Sequence, residues 1–190
     1  LGPKGTFSEI ATTTHFGSSV EKVETENIRD IFKEVAKNKN FYGMLPFENS
    51  IEGMVNQSLD NLIESNLKIC SELELPVEHY LISSEKNVKK LNTIYGHPQA
   101  LAQCRNWLSK NLPKAKIVET ESSAKAAQLI KNKSGKASIG PKQISDIYSL
   151  NLLKEKIQDQ ITNTTRFLVI GSEFPEKTSD DKTSISLSLK

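Results

Sequence analysis

The sequence predicts an α/β fold, and three observations carry that prediction. Short β-rich runs alternate with helical patterns along most of the chain, capping motifs open helices directly after such runs, and the composition allows a buried core. Taken in order, the Gly2-Pro-Lys-Gly5 turn leads into Thr6-Phe-Ser-Glu9, a capping box that starts a helix. Ile28, Ile31, Phe32 and Val35 recur at helical spacing, as do Val55, Leu59, Leu62 and Ile63, and then Leu101, Cys104 and Leu108. Residues 41–47, 77–82, 93–96, 116–119, 137–140 and 166–171 read as strands. Asn49-Ser-Ile-Glu52 is an Asx variant of the capping box, and Glu121-Ser122-Ser123 precedes the helical run 124–131. Gly96-His97-Pro98 and Gly140-Pro141 place proline at a first helical position. This alternation predicts largely parallel sheets, whose strand-to-helix turns gather at the carboxyl edge. Helix N-termini converging there suit an anionic ligand. The stretch 173–182 is charged and carries Pro175, so it reads as a linker. Beyond it Ile185, Leu187 and Leu189 alternate with serines at the period of a half-exposed strand.

Composition narrows the function. Of 190 residues 36% are hydrophobic and 25% charged, and no apolar run approaches the roughly 18 residues of a membrane helix. A membrane role is therefore not expected. The net charge is +2, from 25 Lys+Arg against 23 Asp+Glu, and the lysines are scattered rather than blocked. That argues against a nucleic-acid binder. Cys70 and Cys104 form no CxxC pair, and His15, His79 and His97 show no HExxH spacing, so neither a metal site nor a disulfide framework is expected. The absence of a signal peptide makes the cytoplasm the default compartment. A start at Leu1-Gly2-Pro3, without methionine, reads as the middle of a longer chain.

Five motifs, in one order, resemble those of the prephenate dehydratase family. Leu1-Gly-Pro-Lys-Gly-Thr-Phe-Ser8 resembles its GPxGTFS opening, and Pro46-Phe-Glu-Asn-Ser50 with Glu52-Gly53 its PxENSxEG segment. Tyr95-Gly-His-Pro-Gln-Ala-Leu-Ala-Gln-Cys104 resembles SHPQALxQC, Thr120-Glu-Ser-Ser-Ala124 the TxSTA turn, and Asn163-Thr-Thr-Arg-Phe167 the NxTRF signature. Gly96 stands where many members have serine, and Ser123 where threonine is commoner. The resemblance implies two α/β lobes around a cleft, like a type II periplasmic binding protein, with the chain crossing twice between them. Residues 1–76 with 165–173 would form lobe one and 77–164 lobe two. Residues 174–190 would be a linker and the start of a truncated ACT regulatory domain. It also implies dimers or larger assemblies in the full-length protein, and no cofactor.

The implied reaction is the decarboxylative dehydration of prephenate to phenylpyruvate, a step in phenylalanine biosynthesis. Such a site must hold a dianion, assist a departing hydroxyl and avoid stabilising the carboxylate that leaves. Mapped through the motifs, the catalytic candidates are Thr165, Glu48, Gln103 and Glu121. Thr165 would donate to the leaving hydroxyl as a positioned donor rather than a proton source. Glu48 and Glu121 are the carboxyls on hand to supply or relay a proton. Arg166 would grip the pyruvyl carboxylate with a bidentate fork. Asn49, Ser50, Ser122, Ser123, Thr6, His97 and Phe167 complete the substrate-binding set, although a helix cap accounts for several of them equally well. The four catalytic candidates are expected to line one cleft. Two other readings fit the same residues: arogenate as substrate, or a non-catalytic binding protein for a small carboxylic acid.

Overall fold

The computed structural model describes residues 1–185 and 187. Its elements form two units, each a sheet with helices on both faces. The first sheet holds strands β1 (Gly43–Asn49), β2 (Gly53–Met54), β3 (Lys68–Pro76) and β9 (Thr164–Gly171), in the order β2-β1-β9-β3. The second holds β4 (Tyr80–Ser83), β5 (Thr93–Gly96), β6 (Lys116–Glu119), β7 (Lys136–Gly140) and β8 (Asn151–Lys154), in the order β6-β5-β7-β4-β8. Two α/β lobes are thus present. The expectation of largely parallel sheets holds only for β6-β5-β7. Every pairing of the first sheet is antiparallel: a short turn joins β1 to β2, and β9 returns from the second unit and inserts between β1 and β3.

Alternation along β9 divides the core of the first unit. Leu168 and Ile170 face helices α2 (Ile28–Lys37) and α3 (Asn56–Glu64), packing with Leu45, Ile31, Phe32 and Val35. Phe167 and Val169 face α1 (Phe7–Phe16) and pack with Ala11 and Met44. In the second unit Leu81, Ile94 and Ile139 pack against α4 (Pro98–Gln103) and α5 (Arg105–Asn111). The opposite face, through Tyr80 and Ile82, meets α6 (Ser123–Ile130) and α7 (Gln143–Tyr148).

The helix-start expectations are met in part. Thr6 caps α1 by accepting from the Glu9 N–H, and Ser122 caps α6 by accepting from the Lys125 N–H. His97 caps α4 through its ring nitrogen, with Pro98 at the first position. Asn49 opens no helix: it ends β1 and closes a turn into β2, and α3 begins only at Asn56. Pro141 lies two residues before α7. Helical spacing through Leu101, Cys104 and Leu108 is real but is broken at Cys104, where α4 gives way to α5. The strand expected over 185–189 lies largely outside the described residues, and Ile185 and Leu187 are exposed. Among the described residues no helix is long and apolar enough to cross a membrane.

Two segments cross between the units, and they are bonded to each other. The Val77 N–H donates to the Asn163 carbonyl at 2.8 Å, and the Ile157 N–H donates to the His79 carbonyl at 2.8 Å. Elsewhere the units also touch: a Cβ on Gly5 would lie 3.0 Å from Ile144 Cγ1 of α7.

Gly43 is required by close packing, since its backbone lies where α2 crosses β1. A Cβ there would sit 2.5 Å from Ile31 Cγ2 and 3.0 Å from Val35 Cγ2, both on β-branched side chains with little freedom to swing aside. Gly43→Ala should therefore lose about 1–3 kcal/mol of unfolding free energy. An unchanged urea midpoint would show that α2 can move off the sheet at little cost.

Candidate active site

A chain of side-chain amides lies where the two crossing segments meet. It starts from a backbone anchor: the N–H groups of Ile51 and Glu52 donate to Asn49 Oδ1 at 3.0 and 3.1 Å. With its oxygen so used, Asn49 presents its NH2 group inward. Nδ2 donates to Asn163 Oδ1 at 2.7 Å and to Thr165 Oγ1 at 2.9 Å, with a longer contact to the Thr164 carbonyl at 3.3 Å. Asn163 Nδ2 then donates to Gln103 Oε1 at 2.9 Å. Gln103 Nε2 donates to Glu52 Oε1 at 3.0 Å, and His79 Nε2 lies 2.8 Å from Gln103 Oε1. Asn49 is 6% exposed, while Asn163 and His79 are each 2% exposed. Buried amides of this kind are costly unless each donor meets an acceptor.

The units contribute unequally. Asn49 and Glu52 come from the end of β1 and the turn after it, Thr165 from the start of β9, and Gln103 from the end of α4. His79 and Asn163 belong to the crossing segments themselves. The Phe7 ring, in the first turn of α1, meets the His79 ring edge-on at 5.7 Å between centroids. An amide NH2 has no lone pair to offer, so Thr165 Oγ1 is an acceptor toward Asn49. Its own proton is left for another partner.

The structure therefore brings Thr165, Asn49 and Gln103 together. Ser50 adjoins them, since its hydroxyl donates to the Thr162 carbonyl and accepts from the Thr164 N–H. His97 is half-buried near Glu52 and Glu119.

Other expected members go elsewhere, which corrects the single-cleft expectation. Glu48 and Arg166 lie on the opposite face of the sheet from Thr165. The register pairs Glu48 with Arg166 and Asn49 with Thr165, and successive residues of a strand face opposite ways. There Arg166 pairs with Glu48 at 3.1 Å and Glu72 at 3.6 Å, with its guanidinium over the Phe47 ring at 5.2 Å. Phe167 is 1% exposed in the α1-side core and touches no cleft. Ser123 is buried beneath Gly140, Ser122 and Thr6 act as helix caps, and Glu121 is exposed without a hydrogen bond to the amide chain among the described residues. Three residues of the chain are not among the expected site residues. Glu52 and Asn163 stand inside the quoted motifs without a role, and His79 stands in none.

Comparisons with known proteins place the chain in one family. The family model described as prephenate dehydratase matches residues 1–175. The chain is 42% identical over 191 residues to a bifunctional chorismate mutase/prephenate dehydratase of Stutzerimonas stutzeri, covering 100% of this chain and 52% of that protein. It is 35% identical over 195 residues to a prephenate dehydratase of Lactococcus lactis subsp. cremoris, covering 100% of this chain and 69% of that one. Among solved structures, a prephenate dehydratase from Arthrobacter aurescens in complex with L-Phe superposes with a TM-score of 0.84 at 30% identity. That match covers 94% of this chain and 61% of the other. The chain thus spans about half the length of the bifunctional relatives it matches.

Burial pushes the His79 imidazole below its usual pKa, opposed by the bond to Gln103 and reinforced by His97. Burial likewise lowers His97, opposed by Glu52 and Glu119. Both rings therefore bind protons less readily folded than unfolded, where the value is near 6.5. Stability from this source is complete above about pH 6.5 and falls as the pH drops below it, because the unfolded chain takes up protons first. Urea unfolding at pH 7.5 and pH 5 should show that loss, and His79→Gln should shrink it. A slope unaltered by the substitution would mean that His79 does not titrate differently on folding.

Proposed function

Because the chain belongs to the prephenate dehydratase family, we propose that it catalyses the decarboxylative dehydration of prephenate to phenylpyruvate, a carbon–oxygen lyase reaction of phenylalanine biosynthesis. The observation that carries the reading is the Thr165 hydroxyl, which accepts from Asn49 and so keeps its proton to give. In the reaction the ring carboxylate leaves as CO2 and its bonding electron pair moves into the ring. The C4–O bond breaks, and the departing hydroxyl takes up a proton to leave as water. Thr165 is placed to hydrogen-bond that hydroxyl as charge builds on its oxygen. A threonine hydroxyl is too weak an acid to be the net proton source, so its contribution is a donor held in place before the bond breaks.

Arg166 takes a different part from the one its motif implies. Its guanidinium is engaged by Glu48 and Glu72 on the sheet face opposite Thr165, away from the amide chain. Neutral donors suit this reaction, because a cation fixed on the leaving carboxylate would stabilise the ground state. The backbone N–H groups opening α1, beside Phe7, are the candidates to hold the substrate dianion. The sheet membership of the strands supports a lobe division at 1–76 with 165–173 against 77–164.

The test is conversion of prephenate to phenylpyruvate by the chain. Phenylalanine formed directly from arogenate would reassign the substrate, and binding without turnover would make the chain a binding protein. Thr165→Val, which keeps the shape and removes the hydroxyl, should lower kcat by about 100-fold with KM little changed. An unaltered kcat would reduce Thr165 to a strand residue.

A further inference from the structure

The amide chain has a direction, and one buried imidazole is able to reverse it. We propose that His79 is a positioning residue whose Nε2–H tautomer holds the chain in the sense that leaves the Thr165 proton free. This inference rests on the dehydratase reading for its catalytic consequence.

With a proton on Nε2, His79 donates to Gln103 Oε1, which also accepts from Asn163 Nδ2. Gln103 then turns its NH2 toward Glu52, Asn163 turns its oxygen toward Asn49, and Asn49 donates to Thr165. Each amide NH2 group and the imidazole N–H meets an acceptor, and only the Thr165 proton is left over. Moving the proton to Nδ1 makes Nε2 an acceptor, and the Gln103 oxygen would face a lone pair. Turning Gln103 over repairs that contact but sets its oxygen against the Glu52 carboxylate and its NH2 against the NH2 of Asn163. Turning Asn163 over then opposes the NH2 of Asn49, and turning Asn49 over gives up both backbone donors from Ile51 and Glu52. At the end of that sequence Asn49 Oδ1 would take the Thr165 proton itself, and the hydroxyl would have none to give. An Asn or Gln amide donates from one end and accepts at the other, so no partial reversal satisfies all members.

The surroundings favour the active sense. The His79 backbone N–H donates to Gln158 Oε1, and the His79 carbonyl accepts from the Ile157 N–H, so the backbone of the ring's own residue is fixed on both sides. Nδ1 is buried and has no hydrogen-bond partner among the described residues. A nitrogen with nothing to donate to is better left unprotonated, which places the proton on Nε2.

Two measurements test this in the full chain. Long-range proton–nitrogen correlation NMR separates the two tautomers; the Nε2–H form at neutral pH is expected, and an Nδ1–H form overturns the proposal. Kinetics with prephenate compare His79→Leu, which removes the donor, with His79→Gln, which keeps an N–H within reach. The leucine variant should lose about 10-fold or more in kcat with KM changed less than about threefold, and the glutamine variant should recover most of the loss. Equal losses in both variants, or none in the leucine variant, overturn it. If the leucine variant does not fold, the glutamine variant and the tautomer decide. A wild-type chain that leaves prephenate untouched overturns the activity instead, and the tautomer alone then supports or overturns the direction of the chain.

Discussion

Two backbone N–H groups donating to Asn49 Oδ1 are the constraint on which the rest of the site depends. An amide side chain can be turned over at almost no cost in shape, and its two orientations differ only in hydrogen bonding. Here one end is tied to the turn from β1 to β2, and the far end is tied to the Glu52 carboxylate through Gln103. Ile51 and Glu52 supply the first tie, and Glu52 also supplies the second. A single four-residue turn thus fixes both ends of a chain that runs from the first unit to Gln103 of the second and back. The turn is short because Gly53, at φ +84°, adopts a backbone conformation that side chains disfavour and returns the chain at once into β2.

The alternation of β9 is the second constraint. Thr165 and Arg166 are neighbours in sequence, yet a strand sends them to opposite faces of its sheet. One face carries the hydroxyl with the Asn49 amide, and the other carries a guanidinium between two carboxylates. The bulge between Pro46 and Glu48 preserves this separation. It turns both Phe47 and Glu48 toward Arg166, so that Asn49 returns to the Thr165 side. Were Phe47 paired with Arg166 in regular register instead, Glu48 would fall opposite Thr165 and Asn49 would turn to the other face, and the cation would lose its partner as the hydroxyl lost its donor.

These same features show what was legible in the sequence. Caps such as Thr6 and Ser122 are local, because the side chain bonds a backbone group three residues on, and the sequence displays both partners. The helical stripe of α2 is legible for a similar reason. Motif resemblance reaches Asn49, Gln103 and Thr165, which do meet. It also nominates Glu48, Arg166 and Phe167, because a motif lists neighbours along the chain and does not say which face each one takes. β3 is hidden by a register shift between Ile69 and Ser71 that interrupts its alternation, although Glu72-Leu-Glu-Leu75 carries the strand period. His79 has no local signal, since its partner Gln103 is 24 residues away and its ring partner Phe7 lies in another unit.

The position of the chain at the crossing segments has a physical consequence for any motion between the units. Each unit closes its own core, and the chain passes between them only at residues 77–79 and 155–163. Those two segments are bonded side by side, and His79 and Asn163 are their inward-facing side chains. Asn49 and Thr165 belong to the first unit and Gln103 to the second, so the link between Asn163 and Gln103 spans the division. Displacing the units by more than the tolerance of a hydrogen bond, a few tenths of an ångström, would break that link and leave buried amides unpaired. The arrangement that satisfies every amide is therefore also the one that places Thr165 against Asn49 with its proton free. Order in the polar chain thus depends on how the two units sit, because Gln103 of the second unit is bonded both to Asn163 and to Glu52 of the first.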